Sequence, residues 1–270
     1  ILQSSHELAE FAKNPDVSIS EVIAKAQEVS AASASLMPRS VFAHISEIEV
    51  ADSKDVGIPT GISGLDSQIG MNGYPAGQLS VVRAYHKGGK STFLIQSALH
   101  AASSGYKVLY ATFADLHRKH IKRRLMRMLT GSMYPPETDG LFGDWHKMQD
   151  ELHAMQLDIY DVAETDDGGT VEEFVAWATS RSKTHGAWDA IFVDYAQELT
   201  SGSRRISGKM EDQMECARIL NRFASQTKAA VVVGSQITTD LMGGKRTKWG
   251  RDWEEKAGWV LTIAPPAENG

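Results

Sequence analysis

The sequence predicts an α/β fold with a mostly parallel central sheet, and three observations carry that prediction. Six short runs rich in β-branched and apolar residues recur along the chain: Leu79–Val82, Lys107–Phe113, Leu157–Val162, Ala190–Val193, Ala229–Val233 and Trp259–Ile263. Segments with helical spacing separate them, at 90–103, 115–129, 142–155, 171–185 and 208–228. The runs are nearly all apolar rather than alternating, so both sheet faces must be covered, as happens when helices join parallel strands. No internal repeat at solenoid periods competes with this reading.

Composition bounds the rest. The chain has 270 residues, 42% of them hydrophobic, with 23 Gly and 8 Pro, enough for one large core and incompatible with disorder or a collagen-like array. A single cysteine, Cys216, excludes an internal disulfide and a multi-thiolate zinc site, and predicts a reducing, cytoplasmic setting. The longest apolar runs fall far short of the ~18–20 residues of a membrane span, and the N-terminus has no basic-then-apolar signal. No membrane role is expected. A net charge of −6 argues against a protein coated in nucleic acid, yet leaves room for local basic loops. Residue 1 is Ile rather than Met, which predicts a trimmed or partial chain.

From Asp16 to Ala32, the residues Val17, Ile19, Val22, Ile23, Ala26 and Val29 recur at helical spacing, with Ser18 or Ser20 as candidate caps. A small-residue stretch ending in Pro38 follows. The expected organisation is therefore an N-terminal arm and helix over residues 1–36 and one main domain over 37–270. The arm's apolar stripe suits packing on its own domain or on a neighbouring subunit.

After the first strand comes Ala84-Tyr85-His86-Lys87-Gly88-Gly89-Lys90-Ser91-Thr92, which opens the next helix. This is a G-x-x-x-x-G-K-[ST] phosphate-binding loop with Ala84 in the first glycine position. Gly88 and Gly89 allow backbone amides to turn toward phosphate oxygens, Lys90 places a charge on the β/γ-phosphates, and Ser91 offers a hydroxyl to Mg²⁺. Such a loop needs a carboxylate on an adjacent strand. Asp194, at the end of Ala190–Val193, supplies it. Asp115, after Lys107–Phe113, stands where a water-activating acid is expected, although a role as cap of the following basic helix stays open. Gln236, at the end of the strand Ala229–Val233 and its Gly-Ser extension, is placed to sense the γ-phosphate.

Two glycine-containing basic segments follow the last two of these strands. Thr200–Met210 carries Arg204, Arg205 and Lys209, and Thr238–Arg251 carries Lys245, Arg246, Lys248, Trp249 and Arg251. Both suit a phosphate backbone, so a change at the γ-phosphate would move the side chains that hold a nucleic-acid strand. A third basic cluster, Arg118, Lys119, Lys122, Arg123, Arg124 and Arg127, reads as a solvated or subunit-facing helix with Ile121, Leu125 and Met128 toward the core. His117 and His120 form a helical pair without a metal-ligand acid nearby, and no metal is expected beyond nucleotide-bound Mg²⁺.

The order of these motifs resembles DnaB-type replicative helicases. The run Gly57-Ile58-Pro59-Thr60-Gly61-Ile62-Ser63-Gly64-Leu65-Asp66, the strand leading into Lys90-Ser91, Asp194-Tyr195-Ala196-Gln197 (the family's D-Y-L-Q) and Val233-Gly234-Ser235-Gln236 carry the likeness. The amphipathic arm resembles the linker helix that packs on the next subunit of a hexamer. The resemblance implies a RecA-like P-loop NTPase core, ATP or another NTP or dNTP with Mg²⁺, nucleotide sites between subunits of a homo-hexamer, and single-stranded DNA in the central channel. It also implies partners of the primase and helicase-loader classes, in a bacterial cell or a phage-infected host. Lys90 and Ser91 would bind nucleotide and Mg²⁺, Asp194 the Mg²⁺ shell, and the two basic loops DNA. Asp115 stands where the family has Glu, Glu255, Lys256 and Gly258 depart from its E-Q-D-A-D segment, and the chain stops before the hairpin that carries the family's arginine finger. The expected protein is thus the motor part of a longer chain or a reduced phage or mobile-element form.

Overall fold

The computed structural model describes residues 57–69, 72–113, 116–132, 139–164, 169–202, 208–239, 245–247 and 252–264. The N-terminal arm, Asp115, Arg204, Arg205, Lys248, Trp249 and Arg251 lie outside the described residues.

In chain order the elements are α1 (Ser63–Gln68), β1 (Leu79–Ala84), α2 (Lys90–Ser103), β2 (Val108–Thr112), α3 (Arg118–Thr130), α4 (Asp139–Ala154), β3 (Leu157–Asp161), α5 (Val171–His185), β4 (Ala190–Asp194), α6 (Lys209–Thr227), β5 (Ala230–Thr239), β6 (Lys245–Thr247), α7 (Asp252–Lys256) and β7 (Trp259–Ile263). Short 3₁₀ turns follow β3 at Val162–Glu164 and β4 at Ala196–Glu198. Six strands form one parallel sheet in the order β3-β2-β4-β5-β1-β7. The fold is therefore α/β, as the apolar runs predict. Two features go beyond the sequence reading. β5 continues past Val233 to Thr239, and the basic segment after it returns as β6, antiparallel to the end of β5.

Alternation along each buried strand divides the core in two. Leu79, Val81, Leu109, Ala111, Ile191, Val193, Val231 and Val233 pack under α5, α6 and α7, where Phe174, Leu220, Phe223 and Trp253 complete one layer. Val82, Val108, Tyr110, Ala190, Phe192, Ala230 and Val232 face α2, α3 and α4 in the other. The period-2 geometry of a strand sends successive side chains to opposite faces, so a continuous apolar run feeds both layers.

Local chemistry starts and ends the helices. Thr170 caps α5 through a reciprocal box: its hydroxyl accepts from Glu173 N at 3.3 Å, and its own N–H donates to Glu173 Oε2 at 2.7 Å. α3 ends at Gly131 in the left-handed region. Parallel strands bring their C-terminal ends, Ala84, Thr112, Asp194 and the middle of β5, to one edge of the sheet. In open α/β sheets that edge is where ligands bind.

Candidate nucleotide-binding site

β1 delivers the chain into the turn 85–89, and α2 starts at Lys90. Gly89 takes φ +86°, a left-handed conformation that a side chain disfavours, so the requirement at this position is on the backbone. Gly88 N–H donates to Tyr85 O at 2.9 Å and closes the turn. The 14-residue α2 has no side-chain N-cap, so its first amides and its dipole are available to an anion. The loop from Tyr85 to Thr92 lines a cavity of about 660 Å³, together with Phe113, Leu116, Arg124, Asp194, Tyr195, Glu198 and Gln236. That volume lies within the range of small-molecule and cofactor sites.

Lys90 reaches the cavity floor. Its ammonium lies 3.4 Å from Asp194 Oδ1 and 3.6 Å from the centre of the Tyr195 ring. Burial pushes its pKa down to about 8, partly offset by the attraction of Asp194 and Glu198. A triphosphate placed here would meet a cation whose surroundings contain little water to screen it.

The sequence reading places Asp194 on the strand next to the phosphate-binding strand, and the structure corrects this: β5 lies between β1 and β4. Lys90 bridges the gap by passing over Gly234 of β5. A Cβ on Gly234 would stand 3.0 Å from Lys90 Cδ and 2.8 Å from Leu94 Cδ1. The missing side chain leaves the lysine its route to Asp194. Sequence reasoning did not single out Gly234, because its neighbour is 144 positions away.

Asp194 is 1% exposed. Its Oδ2 accepts from the Tyr110 hydroxyl at 3.0 Å, while Oδ1 accepts no hydrogen bond among the described residues. The Thr112 hydroxyl, on the residue paired with Asp194 across β2 and β4, is likewise without a hydrogen-bond partner among them. Buried oxygens with spare capacity are costly unless something completes them. An oxygen-only set of Asp194 and the Ser91 hydroxyl fits Mg²⁺ or its water shell.

Gln236 lines the same cavity, and β5 pairs it with Ala84 of β1. Gln197, 3% exposed, supports it from β4's side: Nε2 donates to Ser235 Oγ at 2.9 Å and Oε1 accepts from Gln236 N at 3.1 Å. The next turn is tied down as well, since Gln213 Nε2 donates to Leu199 O at 2.8 Å while Trp253 Nε1 donates to Gln213 Oε1 at 3.1 Å.

The basic helix α3 is divided by the structure. Arg118, Lys119, Lys122, Arg123 and Arg127 are exposed, as expected, but Arg124 is half-buried and lines the cavity. The signal was present in the spacing: 121, 124, 125 and 128 share one helical face. No group of three metal-ligating side chains forms at His117 and His120 among the described residues, but an acid does stand near the pair. Asp161 of β3, 44 positions downstream of His117, brings its Oδ2 within 3.7 Å of His117 Nδ1. Of the residues expected at the nucleotide, Tyr85 to Thr92, Asp194 and Gln236 are brought together. Of those expected at DNA, Lys209 opens α6, and Lys245 and Arg246 lie on β6, paired with Thr239 and Thr238 beyond Gln236.

The DnaB-like helicase C-terminal domain model matches residues 57–247. The chain belongs to that family. Two solved structures share the RecA-like fold. One is a DnaB-like replicative helicase, described with its interactions with primase: 17% identity, TM-score 0.67, covering 97% of this chain and 64% of that one. The other is described as an ATPase domain: 17% identity, TM-score 0.67, covering 88% of this chain and 83% of that one. The chain spans less than two thirds of the first relative's length. No curated protein is significantly similar in sequence. No helix among the described residues of this DnaB-like domain is long and apolar enough to cross a membrane.

Proposed function

We propose that this DnaB-like domain is the motor of a replicative helicase, which hydrolyses an NTP with Mg²⁺ and uses the cycle to move single-stranded DNA. The observation that carries this reading is the cavity in which the 85–92 loop, Lys90, Asp194 and Gln236 converge. The loop and the N-terminus of α2 bind and orient the phosphates, and Lys90 neutralises the outer pair. Bound at Ser91 and Asp194, Mg²⁺ would draw charge from the β- and γ-oxygens. Asp115 is assigned to the attacking water. Gln236 reads the terminal phosphate, and its strand continues directly into the hairpin that carries Lys245 and Arg246.

That continuity supports coupling to DNA: a shift at Gln236 moves a basic β-ribbon, and the parallel segment with Arg204, Arg205 and Lys209 follows β4. Assembly as a hexamer through the N-terminal helix and contact with primase belong to the same proposal, the latter suggested by the relative whose primase interactions are described.

The test is NTP hydrolysis with and without single-stranded DNA, for the wild type and Lys90→Ala, beside electron microscopy of the DNA-bound particles. Lys90-dependent, DNA-stimulated turnover in rings supports the motor. Filaments in place of rings indicate a recombinase-like activity, and an assembled chain with no turnover indicates a nucleotide-binding scaffold. In the same assay, Arg246→Ala with Lys248→Ala weakens DNA binding and flattens its salt dependence.

A further inference from the structure

We propose that Arg83 is a positioning residue that fastens the returning arm of the basic ribbon to the strand carrying the phosphate loop, so that nucleotide and DNA are coupled through it. The inference rests on the motor reading above and supplies a connection which that reading leaves open.

The topology creates the need for such a link. β1 lies between β5 and β7 in the sheet. The chain leaves β5 for β6, and four residues later it enters α7, which leads into β7. The two ends of this basic segment therefore flank β1 on opposite sides. On the outgoing side the strand ladder makes the connection, pairing Ala84 with Gln236. On the returning side the chain arrives as α7, a five-residue helix that side chains hold in place.

Arg83 is the side chain that does this at the loop end of β1. It precedes Ala84, the residue in the first glycine position of the phosphate loop. The rest of β1 is buried, and Arg83 is its one half-buried position; a cation in such a strand is costly unless it is paired. Alternation puts Arg83 on the sheet face of Leu79 and Val81, where α7 packs, opposite the face over which Lys90 and α2 lie. Its Nε donates to Thr262 Oγ1 of β7 at 2.7 Å, and its Nη1 donates to Glu254 Oε1 of α7. One planar guanidinium thus spans β1, β7 and α7, a fixed fork that an ammonium does not reproduce. Trp253, the neighbour of Glu254, is fully buried and is tied through Gln213 to Leu199, just beyond β4. Successive residues of α7 are therefore fastened to the strand that carries Asp194 and to the strand that carries the phosphate loop. A shift of the end of β1 on phosphate binding passes through Arg83 to Glu254 and so to the ribbon, and a shift of the ribbon on DNA passes back the same way.

The experiment measures binding of a fluorescent single-stranded oligonucleotide to the full chain, without nucleotide and with a non-hydrolysable triphosphate analogue and Mg²⁺, and binding of the analogue with and without the oligonucleotide. In the wild type each ligand changes the affinity for the other by the same factor, about fivefold or more. Arg83→Met is expected to bring that factor below about twofold. The affinity for each ligand alone stays within about twofold of wild type, because a half-exposed ion pair contributes little by itself. Glu254→Gln gives the same loss, the double variant loses no more than either single one, and Arg83→Lys regains part. Arg181→Met breaks a comparable ion pair, with Asp158 at 3.1 Å, at the β3 edge of the sheet and leaves the factor at its wild-type value. An Arg83→Met variant that weakens each ligand alone as much as it weakens the coupling has suffered general damage, and this overturns the inference. If the wild type couples and Arg83→Met couples equally, the motor stands and the role of Arg83 falls. If the wild type binds both ligands without coupling them, or binds neither, both readings fall.

Discussion

Replacing Gln197 by Leu removes one buried and one part-buried hydrogen bond while nearly conserving volume, so the loss measures polar connection rather than a cavity. β4 pairs with β5 only as far as Val193 and Val233; beyond that it turns away into the 3₁₀ turn Ala196–Glu198. The Gln197 amide takes over where the ladder stops, accepting from Gln236 N at 3.1 Å and donating to Ser235 Oγ at 2.9 Å. Ser235 is fully buried, and Leu at 197 leaves its hydroxyl without this partner. An unsatisfied buried group costs about 1–3 kcal/mol. Gln236 is only half-buried, so water recovers part of the second bond. The expected destabilisation is about 2–4 kcal/mol, or about 5–10 °C in the unfolding midpoint for a domain of this size. Thermal unfolding of the nucleotide-free chain measures it. Gln236 also loses its backbone anchor, so turnover falls more than nucleotide affinity. A Gln197→Leu variant that melts within about 1 °C of wild type would refute the claim that this side chain extends the sheet.

Two further perturbations probe the route of Lys90. Gly234→Ala places a methyl 2.8 Å from Leu94 Cδ1 and 3.0 Å from Lys90 Cδ; overpacking of this kind costs about 1–3 kcal/mol, and nucleotide affinity drops because Lys90 is pushed off its path to Asp194. Titration with a fluorescent nucleotide tests this, and unaltered affinity refutes the crossing. The pH dependence of Lys90 is the other probe. Burial lowers its pKa from the ordinary 10.5 to about 8, so between those values the unfolded chain binds more protons and this group's contribution to stability rises with pH. Nucleotide binding has the opposite trend: phosphates stabilise the ammonium, binding takes up a proton above about pH 8, and affinity falls by up to about tenfold per pH unit. Lys90→Arg, which keeps its charge, loses that slope. A wild-type affinity that stays flat from about pH 7 to about pH 9.5 contradicts the assignment.

The legibility of the site differed from residue to residue. Lys90, Ser91 and their glycines are contiguous, and strand, turn and helix follow in an order that few other chemistries require. Asp194 stands at the end of an apolar run, where a parallel strand ends. Gln236 is legible for the same reason, because a polar residue closing a buried strand is itself a signal. Arg124 had only a faint one, a cation at the 121, 125 and 128 spacing, easily absorbed into a basic surface helix. Gln197 belonged to a recognisable motif, yet nothing local to it names Ser235 and Gln236 as its partners.

The division has a physical basis. Periods of two and 3.6 residues are short-range properties of the backbone, so the chain alone specifies which segments are strands, which are helices, that the strands are parallel and buried on both faces, and that a phosphate loop joins the first strand to its helix. Strand order is a long-range outcome of how the layers pack. Only the folded sheet puts β5 between the loop and Asp194, requires Gly234 to be bare beneath Lys90, brings Gln197 up to the end of β5, and turns one arginine of α3 into the cavity. Each of those contacts joins residues dozens of positions apart or turns one cation out of its cluster, beyond the reach of any local pattern.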